Sequence, residues 1–171
     1  MISQKEFIAK LKTTTLYSYK PEHLSFDSWR KSVTVAYVGM CADLLHVGHL
    51  NILRIAKLNA QIVVVGILAD EAINSYKGKS TIIPYADRVA MVESIRYVDL
   101  VIKQNSLDYV GNLEIVKPDY LVHGSDWKSG IQQKTRQDAI TALAKFSGEL
   151  IEPEYFKGVS TTEIIRKIKS L

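Results

Sequence analysis

Apolar residues along this chain fall into two alternating rhythms. Short runs that are apolar at nearly every position, "VTVAYV" from Val33, "QIVVVGIL" from Gln61, "DLVIK" from Asp99, "DYLVHG" from Asp119 and "GELIEP" from Gly148, are separated by longer stretches of helical period. Runs without polar alternation suit strands covered on both faces, and parallel strands need crossovers of about a dozen residues, which the spacings supply. The pattern predicts a βαβ alternation, and therefore an α/β fold built on a doubly wound parallel sheet.

Between the first two strands, His49, Ile52, Leu53, Ala56 and Ala60 fall within about a third of a helical circumference, so this helix should bury that face. A second helix is expected from near Pro84 to about Arg96, and a third from roughly Leu107 to Val116, stopping before Pro118. A fourth should cover about Gln132 to Phe146 and end at Gly148, and the last should follow Ser160 and bury Ile164, Ile165 and Ile168. The lysine-bearing stretch "YKGKSTIIPYADR" reads as a loop after the second strand. Residues 1–32 stand outside the alternation as an N-terminal extension to a domain of residues 33–171. A short helix is expected from Ser3 to Lys12, and Tyr17, Tyr19, Phe26 and Trp29 are candidates to pack on the core, the favoured role, or to close over a site.

A length of 171 residues with 47% hydrophobic content suits one domain with a real core. The longest apolar run, from Ile62 to Ala69, is far short of the roughly 18 residues of a membrane span, so a soluble protein is expected, with no membrane partner. The start, "MISQKEFIAKLKTTT", has no apolar core of a secretory signal, which points to the cytoplasm. Cys41 is the one cysteine; it excludes an intrachain disulfide or a cysteine zinc site and reads as a small buried hydrophobe with no assigned role. The 22 Lys and Arg against 18 Asp and Glu give +4 without a basic block, which argues against nucleic acid and is compatible with small anionic substrates.

The chemistry concentrates where strands end. In an open parallel sheet ligands bind beyond the carboxyl ends of the strands, so the loop from Gly39 to Val47 and the start of its helix lie where a phosphate would sit. Helix N-termini offer free N–H groups and the positive end of the macrodipole. His46 and His49, at i and i+3, share one side of that first turn, where imidazoles can donate to a pentacoordinate phosphorus and a departing pyrophosphate. Gly48 between them lets a phosphate approach the backbone. Near the end of the chain, Ser160 and Glu163 form the S-x-x-E of a capping box ahead of an apolar helical run.

"YVGMCADLLHVGHLNILRIAK" resembles the H-x-G-H signature of the nucleotidyltransferase superfamily, and the wider run is most similar to cytidylyltransferases that activate small phosphorylated alcohols. "RYVDLVI" from Arg96, "HGSDW" from His123 and "KGVSTTEII" from Lys157 resemble that family's R-Y-V-D, G-D-D-W and G-I-S-T-T segments, in order, so the likeness covers nearly all of residues 33–171. It implies a Rossmann-like nucleotidyltransferase fold that transfers CMP from CTP, with Mg²⁺ on the phosphates, no protein ligand for it named, and a homodimer. It implies catalytic roles for His46, His49 and Lys77, the last of these with Lys79 in the loop that reaches the triphosphate. It implies a nucleotide held by Val38, Gly39, Met40, Gly48, Arg88, His123, Gly124 and Asp126, with Ser160, Thr161 and Thr162 on the β- and γ-phosphates. Asp43 matches an aspartate that shapes the loop or meets the ligand. The acceptor would lie against Asp126, Trp127 and Tyr155.

Two departures bear on the acceptor: Ser125 replaces one carboxylate of G-D-D-W, and Tyr155 replaces the arginine that often precedes the closing motif. "DYLVHGSDWKSGIQQKTR" and "EPEYFKGVSTT" resemble the cytidylyltransferases found with phosphoenolpyruvate mutase in phosphonate biosynthesis, which implies 2-aminoethylphosphonate as acceptor. The alternatives are glycerol-3-phosphate, ethanolamine phosphate or phosphocholine with CTP, an ATP-dependent adenylyltransferase, and a nucleotide-binding module without turnover. A pure binder has no need of paired donors at the leaving group.

Overall fold

A computed structural model describes residues 2–78, 80–154 and 158–171; of Tyr76, Lys77 and Ile131 it describes the backbone alone. Three short helices, α1 (Gln4–Leu11), α2 (Thr15–Ser18) and α3 (Phe26–Ser32), precede strand β1 (Val35–Met40). Then follow α4 (Val47–Asn59), β2 (Ile62–Leu68), α5 (Asp70–Lys77), α6 (Tyr85–Glu93), β3 (Leu100–Gln104), α7 (Val110–Val116) and β4 (Tyr120–Val122). Two 3₁₀ turns at Ser125–Lys128 and Gly130–Gln132 lead into α8 (Gln133–Ala144), β5 (Glu149–Ile151) and α9 (Thr161–Lys169).

All strand pairings are parallel, in the order β3-β2-β1-β4-β5. The chain winds outward from β1 to β3 and then returns to the other side of β1, so the order reverses between β1 and β4. That reversal opens the crevice in which doubly wound sheets bind ligands. Every residue of β1 and β2 is buried, as unbroken apolar runs require. Strand periodicity of two divides them between two cores. Val35, Tyr37, Ile62 and Val64 face α7, α8 and the N-terminal helices, which add Phe7, Leu11 and Trp29. Ala36, Val38, Val63 and Val65 face Leu53 and Ala56 of α4 and Val92 of α6. Each such side chain contributes about 1.5–3 kcal/mol through burial.

The structure departs from the sequence expectations in three places. Where a lysine loop was expected after β2, α5 begins at once: Asp70 and Glu71 favour its N-terminus, Ala72 and Ile73 are buried, and Gly78 ends it at φ 61. Lys77 is therefore the last residue of a helix, and its side chain and the whole of Lys79 lie outside the described residues. Within the extension, Ser25 caps a second substantial helix, α3, which buries Trp29, while Tyr19 is exposed and does not pack on the core with Tyr17 and Phe26. Finally, α9 has no buried residue: Ile164 and Ile165 are half-buried and Ile168 is 59% exposed. Among the described residues, no helix is long and apolar enough to cross a membrane.

Candidate active site

β1 stops at Met40 and the chain turns into α4 through Ala42, a fully buried non-glycine residue in the left-handed region at φ 56. Such strain persists where the surroundings impose it, commonly beside a site. His46 is the N-cap of α4. Its Nδ1 accepts the Gly48 N–H at 3.1 Å, and His49 Nδ1 accepts the His46 N–H at 3.4 Å. The Gly48 N–H is thus taken by the cap. With both Nδ1 atoms accepting, each neutral imidazole carries its proton on Nε2, so the rings replace the backbone as donors. The two rings lie 4.0 Å apart and both line the cleft. Burial lowers the pKa of His46, which keeps it neutral.

Across the cleft, Ser160 Oγ accepts the Glu163 N–H at 3.1 Å and caps α9, one half of the expected capping box. Ser160, Thr161 and Thr162 line the same cavity of about 340 Å³ as the histidines. Two helix N-termini therefore share one cleft, each presenting the positive end of a helix dipole. Val38, Gly39 and Met40 form the floor at the end of β1, with Gly48 at the start of α4, while His123, Gly124 and Asp126 form the wall at the end of β4. Gly39 is required by packing, since a β-carbon there would collide with the Tyr109 ring.

Two expected site residues lie elsewhere. Arg88 is fully buried and absent from the cleft lining; its guanidinium donates to Ile83 O at 3.1 Å, Cys41 O at 2.6 Å and Asp70 Oδ1 at 2.5 Å. It ties α6, α5 and the loop after β1 together, which leaves its fork committed to the protein. Trp127 is also fully buried, stacked behind His123 at 3.8 Å and 14°. Asp43 accepts the backbone N–H groups of Ile82 and Ile83 at 2.9 and 2.8 Å, a loop-shaping role. Tyr155 lies outside the described residues.

Sequence reasoning missed Tyr109 and Leu107, on the segment after β3, and Leu68 and Ile73 around the start of α5, all of which line the cleft. Their position at carboxyl ends of strands was the available signal. It also missed Arg136 and Glu152, which sit behind Trp127. Among the described residues no three His, Cys, Asp or Glu side chains gather as a metal site, and Asp126 is the one cleft carboxylate. That donor set suits a Mg²⁺ held chiefly by substrate phosphates and water, as Mg²⁺ commonly is.

Residues 37–167 match the family described as Cytidylyltransferase-like. The chain belongs to this family. Among its relatives are the ethanolamine-phosphate cytidylyltransferase of Arabidopsis thaliana, 35% identical over 144 residues, covering 81% of this chain and 33% of that protein, and the bifunctional protein HldE of Sulfurimonas denitrificans, 32% identical over 136 residues, covering 79% of this chain and 27% of that protein. The chain thus spans about a third or less of the length of these relatives. A lipopolysaccharide core biosynthesis protein from Thermoplasma volcanium has the same fold, with TM-score 0.59 and 22% identity, covering 74% of this chain and 99% of that one. Together with the five-stranded parallel sheet, that likeness gives the family fold, a nucleotidyltransferase-like α/β architecture.

Proposed function

We propose that this chain is a CTP-dependent cytidylyltransferase that transfers CMP to a small phosphorylated amine, with ethanolamine phosphate the leading acceptor, and releases pyrophosphate. One observation carries the reading: two helix N-termini, one capped by paired Nε2–H imidazoles and the other bearing Ser160, Thr161 and Thr162, face a single cleft. The α9 turn holds the β- and γ-phosphates. The acceptor's phosphate oxygen attacks the α-phosphorus, a new P–O bond forms, and the bond to the β-bridging oxygen breaks as pyrophosphate leaves. The acceptor is already an anion, so catalysis consists of positioning and charge stabilisation, and His46 and His49 donate to the oxygens on which charge grows. When bound with the nucleotide, Mg²⁺ would add charge neutralisation on the triphosphate, with Asp126 the cleft carboxylate among the described residues available to it. Asp126, a carboxylate on the cleft wall, suits the acceptor's ammonium group.

The 35% identical relative named for ethanolamine phosphate favours that acceptor. The run "EPEYFKGVSTT" favours a second reading, 2-aminoethylphosphonate, in which carbon replaces the ester oxygen. The experiment is pyrophosphate release with CTP or ATP against ethanolamine phosphate, 2-aminoethylphosphonate, phosphocholine and glycerol-3-phosphate. CTP should exceed ATP, and ethanolamine phosphate should lead 2-aminoethylphosphonate by about ten- to two-hundredfold in kcat/KM, the range one contact provides, the reverse order replacing it with the second reading. A lead for glycerol-3-phosphate would remove the amine from the reading, and no release with any pair would overturn it.

A further inference from the structure

Behind the cleft wall runs a polar chain that the reaction above does not use. Arg136 of α8 donates through Nε and Nη2 to the two carboxylate oxygens of Glu152, at 2.7 and 2.8 Å. Glu152 Oε1 also accepts from Trp127 Nε1 at 2.7 Å. Arg136 first, then the Trp127 N–H and Lys128, hold the Glu152 carboxyl down to about 2 against the opposing effect of burial. Trp127 in turn backs the His123 ring, and Tyr109 stands edge-on to both, 5.9 Å from His123 and 5.5 Å from Trp127.

This packing fixes the imidazole in place, and a hydrogen bond fixes its proton. His123 Nδ1 donates to the Gly124 carbonyl at 2.8 Å, so Nε2 of the neutral ring is an acceptor only. Burial lowers the pKa of His123 and so favours that neutral form. No protein group bonds Nε2 among the described residues, whereas every fully buried side-chain nitrogen or oxygen there has a partner. Nε2 is therefore open to the cleft that the ring lines.

An acceptor-only nitrogen repels phosphate oxygens, which are acceptors themselves, and is satisfied by an N–H donor. We propose that His123, clamped by the Trp127, Glu152 and Arg136 chain, is a specificity-determining residue whose Nε2 accepts a hydrogen bond from a substrate amino group. The proposal rests on the cytidylyltransferase reading, which supplies two such groups: the exocyclic amine of cytosine, where uracil has a carbonyl, and the ammonium of an aminoethyl acceptor. Glu152 does not line the cleft; it is a positioning residue acting through Trp127.

His123→Phe keeps a ring to stack on Trp127 and removes the acceptor. The readouts are kcat/KM for CTP against UTP with ethanolamine phosphate, and for ethanolamine phosphate against glycerol-3-phosphate with CTP. One of these two ratios should fall by about tenfold or more, the nucleotide ratio pointing to the base and the acceptor ratio to the ammonium. Glu152→Gln keeps an oxygen for Trp127 but loses the charge facing Arg136; it should lower the same ratio by a smaller factor and disturb the single Nδ1–H tautomer in the ¹⁵N spectrum of His123. Both ratios unchanged in His123→Phe, or all values reduced by one common factor, would overturn the role of His123. A Glu152→Gln variant with ratio and tautomer unmoved would overturn the positioning role. If the wild type releases no pyrophosphate with any nucleotide, the cytidylyltransferase reading fails separately. The His123 claim then rests on its Nε2 shift during titration with CMP and with ethanolamine phosphate, and no shift with either overturns it.

Discussion

The two helices that point their N-termini into the cleft are built in opposite ways. α4 is held by the core: Leu53 and Ala56 are fully buried between it and the sheet, and its cap is made from the same imidazoles that line the cleft. α9 is capped by an ordinary serine, buries no residue fully and ends in Arg166, Lys167 and Lys169. On the proposed reading the difference separates two tasks. Donors meant for a transition state must be preorganised, which a core-anchored helix achieves, whereas a helix meant to grip distal phosphates could draw part of its own stability from the ligand.

Anchoring is the most exposed part of this comparison. Leu53→Ala should cost about 2–5 kcal/mol in denaturant unfolding, and Ile168→Ala should stay within about 0.5 kcal/mol. Similar losses from both would erase the contrast. The catalytic contrast comes next. His46→Ala and His49→Ala should each lower kcat by about a hundredfold or more while CTP affinity changes far less. Turnover that survives in both folded variants would reduce the pair to a helix cap.

At the other terminus, Thr161→Val should weaken CTP about tenfold by removing one hydrogen bond to a charged group, and should leave CMP almost unaffected. Equal weakening of both nucleotides would make this turn a structural element only. The smallest effect is on pH. Burial sets the folded-state pKa of His46 below its unfolded value, so its contribution is present above the ordinary imidazole range and is lost as pH falls through the folded value. Wild-type stability should therefore decline on acidification more steeply than that of His46→Ala, as urea midpoints across that range would record. Parallel pH curves would mean that His46 is not held neutral by the fold.

What the sequence made legible was local. Five strands announced themselves through unbroken apolar runs, and His46, His49, Ser160, Thr161 and Thr162 sit within a turn of the caps that position them. What stayed hidden joins distant segments. The guanidinium of Arg88 is consumed by Ile83, Cys41 and Asp70, groups from three separate stretches of chain, and nothing in the order of residues reveals that closure. Trp127 meets Glu152 across 25 positions, so its N–H partner appears only when β4 and β5 pair. α5 was obscured by the lysines on either side of Gly78, Lys77 and Lys79, which drew the reading toward a loop although Ala72 and Ile73 mark a buried helical face. The exposed Ile168 shows the converse, an apolar spacing that this fold leaves open to solvent.

The claim that two helix N-termini hold one polyphosphate is tested most directly by calorimetric affinities of the wild-type chain for CTP and CMP in the same Mg²⁺ buffer. CTP should bind at least about tenfold more tightly, a difference of about 1.4 kcal/mol supplied by the distal phosphates at α9. Equal affinities would mean that the α9 turn holds no phosphate, and would contradict the account.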